Sequence, residues 1–213
     1  MKLQVIIGST RPTRAADTVV PWVTGRAAMH EAFESEVLDL RDWQLPMFGE
    51  HMGSIGDPSD PSYSAEIVRR WNRKIAEADA YLVITPEYNH SIPGELKNAL
   101  DSVFVSFATR NKPMAMVGYS AGVGGGIRAI EHLVQVAVEL ETAPVRSTVV
   151  LPFVDRAFTA EGKPADPANE VALQILLDDL AWWAGALHKA RAAGELVPGK
   201  VRARMAAAAV PAS

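Results

Sequence analysis

Five short apolar runs punctuate the chain, at residues 3–7 (LQVII), 36–40 (EVLDL), 81–84 (YLVI), 114–119 (MAMVGY) and 147–151 (STVVL). Their length and branching predict β-strands. The unbroken YLVI run has the character of a strand buried on both faces of a sheet, whereas the short, charged EVLDL run belongs nearer an edge. Between the runs, apolar residues return every three or four positions. They do so at Ala16, Val19, Val23 and Ala27; at Val68, Trp71, Ile75 and Ala78; and at Leu96, Ala99, Leu100 and Val103. The same spacing recurs at Ile127, Ile130, Leu133 and Ala137, and at Leu173, Leu176, Leu177, Leu180 and Ala184. It predicts five helices. Strands alternating with helices give an α/β three-layer sandwich around a five-stranded parallel sheet, most simply in the order 2-1-3-4-5.

Two connections exceed ordinary loop length. Residues 41–62 are rich in proline, glycine and aspartate, with Trp43, Met47, Phe48 and Met52 among them. Loops longer than roughly a dozen residues are usually lids, binding loops or disordered, so this one either covers a ligand or packs on its own aromatics. Residues 153–168 form the second, a candidate for the mouth of a substrate site. Beyond Pro198 the sequence turns alanine-rich and basic, the pattern of a frayed tail. The expected organisation is one domain over residues 1–197 and a flexible tail over 198–213.

Composition narrows the chemistry. The chain has 213 residues, 48% of them hydrophobic, which suits one α/β core. Lys plus Arg number 21 against 25 Asp plus Glu, and a net charge of −4 argues against nucleic acid as a partner. There is no cysteine, which excludes disulfides, thiolate metal sites and a redox-active dithiol. Any redox chemistry therefore needs a bound cofactor. The first apolar run is too short for a signal peptide, and Asp178 and Asp179 interrupt the last, so no membrane span is expected and the cytoplasm is the default compartment. His51 has no partner at ligand spacing, and no metal site is expected.

Three strand ends carry candidate chemistry. The first strand ends in Gly8-Ser9-Thr10-Arg11-Pro12-Thr13-Arg14, just before a helix. Open N–H groups at a helix start, flanking hydroxyls and the helix dipole make such a turn an anion site. Arg11, with Arg14 as a second candidate, offers bidentate contacts to phosphate oxygens. Asp17, unfavourable beside a dianion, is left outside the site. The third strand is stopped by Thr85 and Pro86 and followed by Glu87-Tyr88-Asn89-His90-Ser91, with Pro93 fitting a first helical turn. The fourth ends in Ser120-Ala121-Gly122-Val123-Gly124-Gly125-Gly126, whose glycines let backbone approach a flat ligand edge. In the order 2-1-3-4-5 these three strands are neighbours, so their loops meet where open α/β sheets bind ligands.

The stretch PEYNHSIPGELKNALD, residues 86–101, resembles the flavin-contacting loop of the NADPH-dependent FMN reductase family, flavodoxin-like enzymes that include quinone, azo-dye and chromate reductases. GSTRPxR resembles that family's FMN-phosphate loop. The resemblance implies a flavodoxin-like fold, FMN as cofactor, NADPH or NADH as donor, and two-electron transfer to a small acceptor such as a flavin, quinone or azo compound. It implies that Ser9, Thr10, Arg11 and Arg14 hold the phosphate. Pro86, Glu87, Tyr88 and Asn89 would hold the isoalloxazine, and Ser120, Gly122, Gly124 and Gly125 would complete the cradle. No residue is expected to act as acid or base. A homodimer or homotetramer is also implied, built on the helix after the PEYN loop, with Leu96, Leu100, Val103, Phe104 and Phe107 as apolar surface.

Two other readings compete. Gly118-Tyr119-Ser120-Ala121-Gly122 is a G-x-S-x-G between strand and helix, the nucleophile elbow of serine hydrolases, with Asp155, Asp166 and His188 downstream in Ser-Asp-His order. Against it, His188 falls inside a periodic helix and no oxyanion loop precedes the serine. A flavodoxin-type electron carrier would bind FMN but take electrons from a protein partner.

Overall fold

The structure, a computed structural model, describes residues 1–57 and 61–209, with the side chains of Phe104, Lys200 and Ala208 left out. Pro58 of the long loop and residues 210–213 of the tail lie outside the described residues. Five strands form one sheet: β1 (Lys2–Ile7), β2 (Glu34–Asp39), β3 (Ala80–Pro86), β4 (Pro113–Tyr119) and β5 (Ala143–Leu151). All pairings are parallel and the order is β2-β1-β3-β4-β5. The predicted fold is therefore the observed one.

Side-chain alternation on the strands builds two cores. Leu82 and Ile84 of β3, with Val5, Ile7, Val117 and Leu151, face a layer made by α1 (Ala16–Met29) and α6 (Ala168–Ala193). Tyr81 and Val83, with Ile6, Met114 and Met116, face α3 (Glu66–Ala76), α4 (Gly94–Phe104) and α5 (Ile127–Glu139), which follow the short α2 (Leu40–Trp43). Every residue of β3 and β4 is buried, as a strand covered on both faces requires. Each fully buried Val, Leu or Ile contributes roughly 1.5–3 kcal/mol.

Several boundaries differ from expectation, each for a local reason. β3 continues through Thr85 and Pro86, because β1 has already stopped pairing at Ile7 and the missing proline N–H costs no ladder bond. β2 ends one residue earlier than expected, since the Asp39 carboxylate accepts the Arg41 N–H (3.0 Å) and starts α2. β5 begins at Ala143 with Pro144 inside it, tolerated on an edge strand that shifts register opposite Met114 and Met116. Past Pro198 the chain forms α7 (Gly199–Ala208) where a frayed tail was expected.

Residues 41–57 pack on their own apolar side chains, with Phe48 and Met52 against Ile55, Tyr63, Val68 and Val105. Asn98 of α4 fastens this loop by accepting the Phe48 N–H (2.8 Å) and donating to the Pro46 carbonyl (2.9 Å). Leu96, Leu100 and Val103, expected to offer interface surface, are buried within this chain's own core. Among the described residues no helix is long and apolar enough to cross a membrane.

At the amino edge of the sheet, Lys112 is buried and donates to the Ala76 carbonyl at 2.8 Å. Burial, helped by the nearby Arg191 charge, pushes its pKa down to about 8 from the usual 10.5. The unfolded chain then holds the proton more tightly than the fold does. This group's contribution to stability rises with pH between about 8 and 10.5. Wild-type unfolding free energy, measured by urea titration, is expected to gain about 2 kcal/mol relative to Lys112→Met between roughly pH 7.5 and 9.5. Parallel pH profiles for the two proteins would contradict this.

Candidate functional site

The carboxyl ends of β1, β3 and β4 bring their three loops into direct contact. Ser9 Oγ lies 2.7 Å from the Tyr88 hydroxyl. Glu87 donates its N–H to the Tyr119 carbonyl (3.0 Å), and Ser120 carries the edge on to β5 by donating to Leu151 (3.2 Å).

In the first loop, Ala15 caps α1 without a side-chain bond to the helix N–H groups. Among the described residues, none accepts a hydrogen bond from the backbone N–H groups of Ser9, Thr10, Arg11, Thr13 or Ala15. The Arg11 guanidinium stacks 3.6 Å above the Tyr88 ring and pairs with no carboxylate among the described residues. An unpaired cation beside open amides at a helix start is an anion site by its chemistry.

Arg14 corrects the sequence reading. Its side chain is only 4% exposed and lies under the loop rather than in its mouth. Both terminal nitrogens hold Asp39, Nε holds Asp17 at 2.8 Å, and Nη1 also donates to the Ser9 carbonyl. Four of its five N–H groups are thus engaged inside the protein, which leaves Arg14 a structural role rather than a phosphate-binding one. Asp17, set aside as unfavourable near a dianion, is engaged by Arg14 and by Arg41 (3.3 Å).

The second loop is a two-residue hairpin, with Tyr88 and Ser91 exchanging backbone bonds of 2.8 and 3.0 Å. Both central residues are left-handed, Asn89 at φ 49° and His90 at φ 70°, as a type I′ turn demands. Asn tolerates this region; a histidine there is strained by of order 1 kcal/mol or more, which the surroundings must offset. Glu87, whose side chain is 6% exposed, pairs with Arg128 Nη2 at 2.5 Å and accepts the Arg128 N–H at the start of α5. Arg128 Nη1 reaches the His90 ring at 3.0 Å, and His132 Nδ1 meets Ser91 Oγ at 2.9 Å. The sequence reading gave Arg128 no role. A buried glutamate needs a cation, and Arg128 opens the helix beside it, which is the signal that could have found it.

The glycine-rich third loop divides in two. Gly125 (φ 58°) and Gly126 (φ 93°) are demanded by folding: a Cβ on Gly125 would lie 2.6 Å from Val150 Cγ1, and one on Gly126 2.4 Å from the Tyr119 nitrogen. Gly122 has nothing within 4 Å of its Cβ position, so the backbone edge there stands open. Gly125, expected among cofactor contacts, has a structural job that Gly122 does not.

The hydrolase reading does not survive the topology. His188 holds Asp79 at 2.8 Å, just before β3, at the amino edge of the sheet. Ser120 follows β4 at the carboxyl edge and donates to Gly122 O at 3.1 Å. A strand of this length separates the two edges by roughly 20 Å.

Open amides, hydroxyls and an unpaired arginine fit a phosphate monoester, and the open backbone edge at Gly122 fits a flat ring. Fold and site together define a flavin-dependent oxidoreductase of flavodoxin-like architecture. The family model described as NADPH-dependent FMN reductase matches residues 1–155, more than half the chain, and the chain belongs to that family. FMN is its cofactor and NAD(P)H its hydride donor. An NAD(P)H-dependent FMN reductase of Schizosaccharomyces pombe is 33% identical over 151 residues, covering 71% of this chain and 74% of that protein. A quinone reductase of Pseudomonas putida is 32% identical over 183 residues, 84% of this chain and 92% of that one. The solved structure of FerB, a flavoenzyme NAD(P)H:(acceptor) oxidoreductase from Paracoccus denitrificans, superposes with a TM-score of 0.70 at 26% identity, covering 87% of this chain and 97% of FerB.

The two halves of the third loop separate experimentally. Gly125→Ala should lower unfolding free energy by about 2–4 kcal/mol, while Gly122→Ala stays within about 0.5 kcal/mol of wild type. Thermal melts of the ligand-free variants read the difference directly. Equal melting points would show that the division is wrong.

Proposed function

We propose that this chain is a two-electron reductase of small planar acceptors, quinones first among them, with Ser9, Thr10 and Arg11 holding the FMN phosphate. The observation that carries the reading is the unpaired Arg11 beside a row of open amides and directly over Tyr88. Pro86, Glu87, Tyr88 and Asn89 hold the ring system mainly through backbone, fixed by the hairpin and the Glu87–Arg128 pair. Ser120, Gly122 and Gly124 close the other side. FMN held there would supply the hydride and two-electron chemistry, and the cradle's open side would receive nicotinamide and acceptor in turn. The chain's own residues bind, orient and exclude water; no side chain is assigned as acid or base.

A cavity of about 500 Å³ beside Thr10, lined by Leu40, Leu45 and Met47 together with Arg41, Gln44 and Glu95, supports a small acceptor with an apolar body and polar edges. With Leu96, Leu100 and Val103 buried in this chain's core, assembly is proposed instead through the groove between α4 and α5. That groove, about 760 Å³, is lined by Ile92, Lys97, His132 and Val136 and reaches Ser91 of the flavin loop. We further read residues 1–197 as a single unit, supported by α6, beyond the family match, which completes the core under β4 and β5.

The test is an absorbance spectrum of protein saturated with FMN and desalted, then treated anaerobically with NADPH. A retained flavin band that bleaches, and reoxidises on adding benzoquinone, is the expected result. A retained band that NADPH leaves intact would point to an electron carrier and overturn the reductase reading. Light scattering should give a dimer or tetramer; a monomer would remove the groove from the account.

A further inference from the structure

The first loop is shaped from outside, by the end of β2. We propose that Asp39 and Arg41 are positioning residues for phosphate binding, setting the direction of the loop's N–H groups rather than supplying the phosphate contacts themselves. The inference rests on the phosphate site proposed above.

Three carbonyl anchors, at Ser9, Arg11 and Pro12, define the geometry. Arg14 Nη1 donates to Ser9 O at 2.5 Å, and Arg41 Nη2 donates to Arg11 O at 2.5 Å and to Pro12 O at 3.1 Å. In a planar trans peptide the C=O of one residue and the N–H of the next point in opposite directions. Holding the Ser9 carbonyl against Arg14 therefore turns the Thr10 N–H away from it. Holding the Pro12 carbonyl against Arg41 does the same for Thr13. Both N–H groups belong to the set that no described residue accepts from.

The two guanidinium groups are themselves fixed by carboxylates. Asp39 takes both terminal nitrogens of Arg14 and also caps Arg41 through its N–H, and Asp17 bridges the two arginines. Two arginines and two aspartates leave the clamp without net charge. It therefore aims the loop rather than attracting the anion, and Arg11 remains the cation that does so.

Charge sign separates positioning from simple electrostatics. Asp39→Asn removes a negative charge close to the loop, so Coulomb attraction alone predicts tighter FMN binding. Positioning predicts the reverse. FMN and riboflavin dissociation constants are measured by flavin fluorescence quenching; riboflavin has the same ring and ribityl chain but no phosphate. Asp39→Asn is expected to weaken FMN about tenfold and riboflavin less than about twofold. Because Asp39 pairs with a buried arginine, that variant can fail to fold. Arg41→Met, at a side chain 30% exposed, removes a positive charge, so Coulomb attraction and positioning both predict weaker FMN there. Arg41→Lys keeps the charge but loses the fork that reaches two carbonyls, so Coulomb attraction predicts no change and positioning predicts that most of the Arg41→Met loss remains.

Tighter FMN binding in Asp39→Asn, no change in the Arg41 variants, or an equal loss for FMN and riboflavin would each overturn the proposal. Arg11→Met serves as the reference for the underlying site. If it fails to weaken FMN more than riboflavin, the phosphate reading itself falls. If it does so while Asp39→Asn and Arg41→Met do not, only the clamp is wrong.

Discussion

Ile7 pairs with Ile84, and Pro86 pairs with Tyr119, so β1, β3 and β4 stop within two residues of one another. This register is the constraint from which the site follows. Parallel strands must return through crossovers, so every strand leaves the sheet at the same edge. Three loops roughly 80 and 30 residues apart along the chain are thereby brought together, and side-chain contacts such as Ser9–Tyr88 and Glu87–Arg128 complete the junction. Had β3 ended with β1 at Ile84, Tyr88 would not stand opposite Ser9.

What the register brings together, buried ion pairs hold in shape. Arg14 with Asp39 is largely removed from water, and in the second pair Glu87 is buried while Arg128 stays partly in solvent. Such pairs contribute little net stability, because desolvation cancels most of the attraction. Their effect here is conformational, since one fixes the phosphate loop to β2 and the other fixes the hairpin to α5. Burial alone would raise the Asp39 pKa, but hydrogen bonds from Arg14 and the Arg41 backbone outweigh it and hold the carboxyl below its ordinary value. Its stabilisation is therefore complete above the unfolded-state pKa, near 3.9, and is lost as pH falls through the lower folded value. The clamp stays ionised across the neutral range.

How far the chain could be read without a structure depended on the range of the interaction involved. Apolar runs of strand and helix period are local, and they gave the sheet order, the helices and the three loops. The GSTR, PEYN and glycine-rich segments were likewise legible, being continuous in sequence. The assignments that failed turn on residues far apart. Arg14 could be given to phosphate only while Asp39, 25 residues on, was not known to lie beneath it. Arg41 and Arg128 act through partners 29–30 and 41 residues away. Gly122 and Gly125 look alike in sequence and differ because Val150 and Pro152 of the neighbouring strand end crowd only one of them. The helical spacing of Leu96, Leu100 and Val103 is equally compatible with an interface and a core; packing on β3 and β4 decides for the core.

A site made mainly of main-chain groups has a functional consequence. Backbone N–H groups carry no titratable proton and no side-chain shape, so they can hold a cofactor while leaving the second substrate weakly specified. Discrimination among acceptors must then come from what borders the cradle. Two such borders are present: the 41–57 loop, pinned to α4 by Asn98, and the groove between α4 and α5 that reaches Ser91. Both converge on the amino-terminal end of α4, where Gly94 lines each neighbouring cavity and has no atom within 4 Å of its Cβ position. The helix start that follows the hairpin is thus the point where cofactor cradle, acceptor space and the proposed subunit contact adjoin. On the proposed reading, a change there would alter access without disturbing the first loop, which is held from the end of β2 by Asp39 and Arg41.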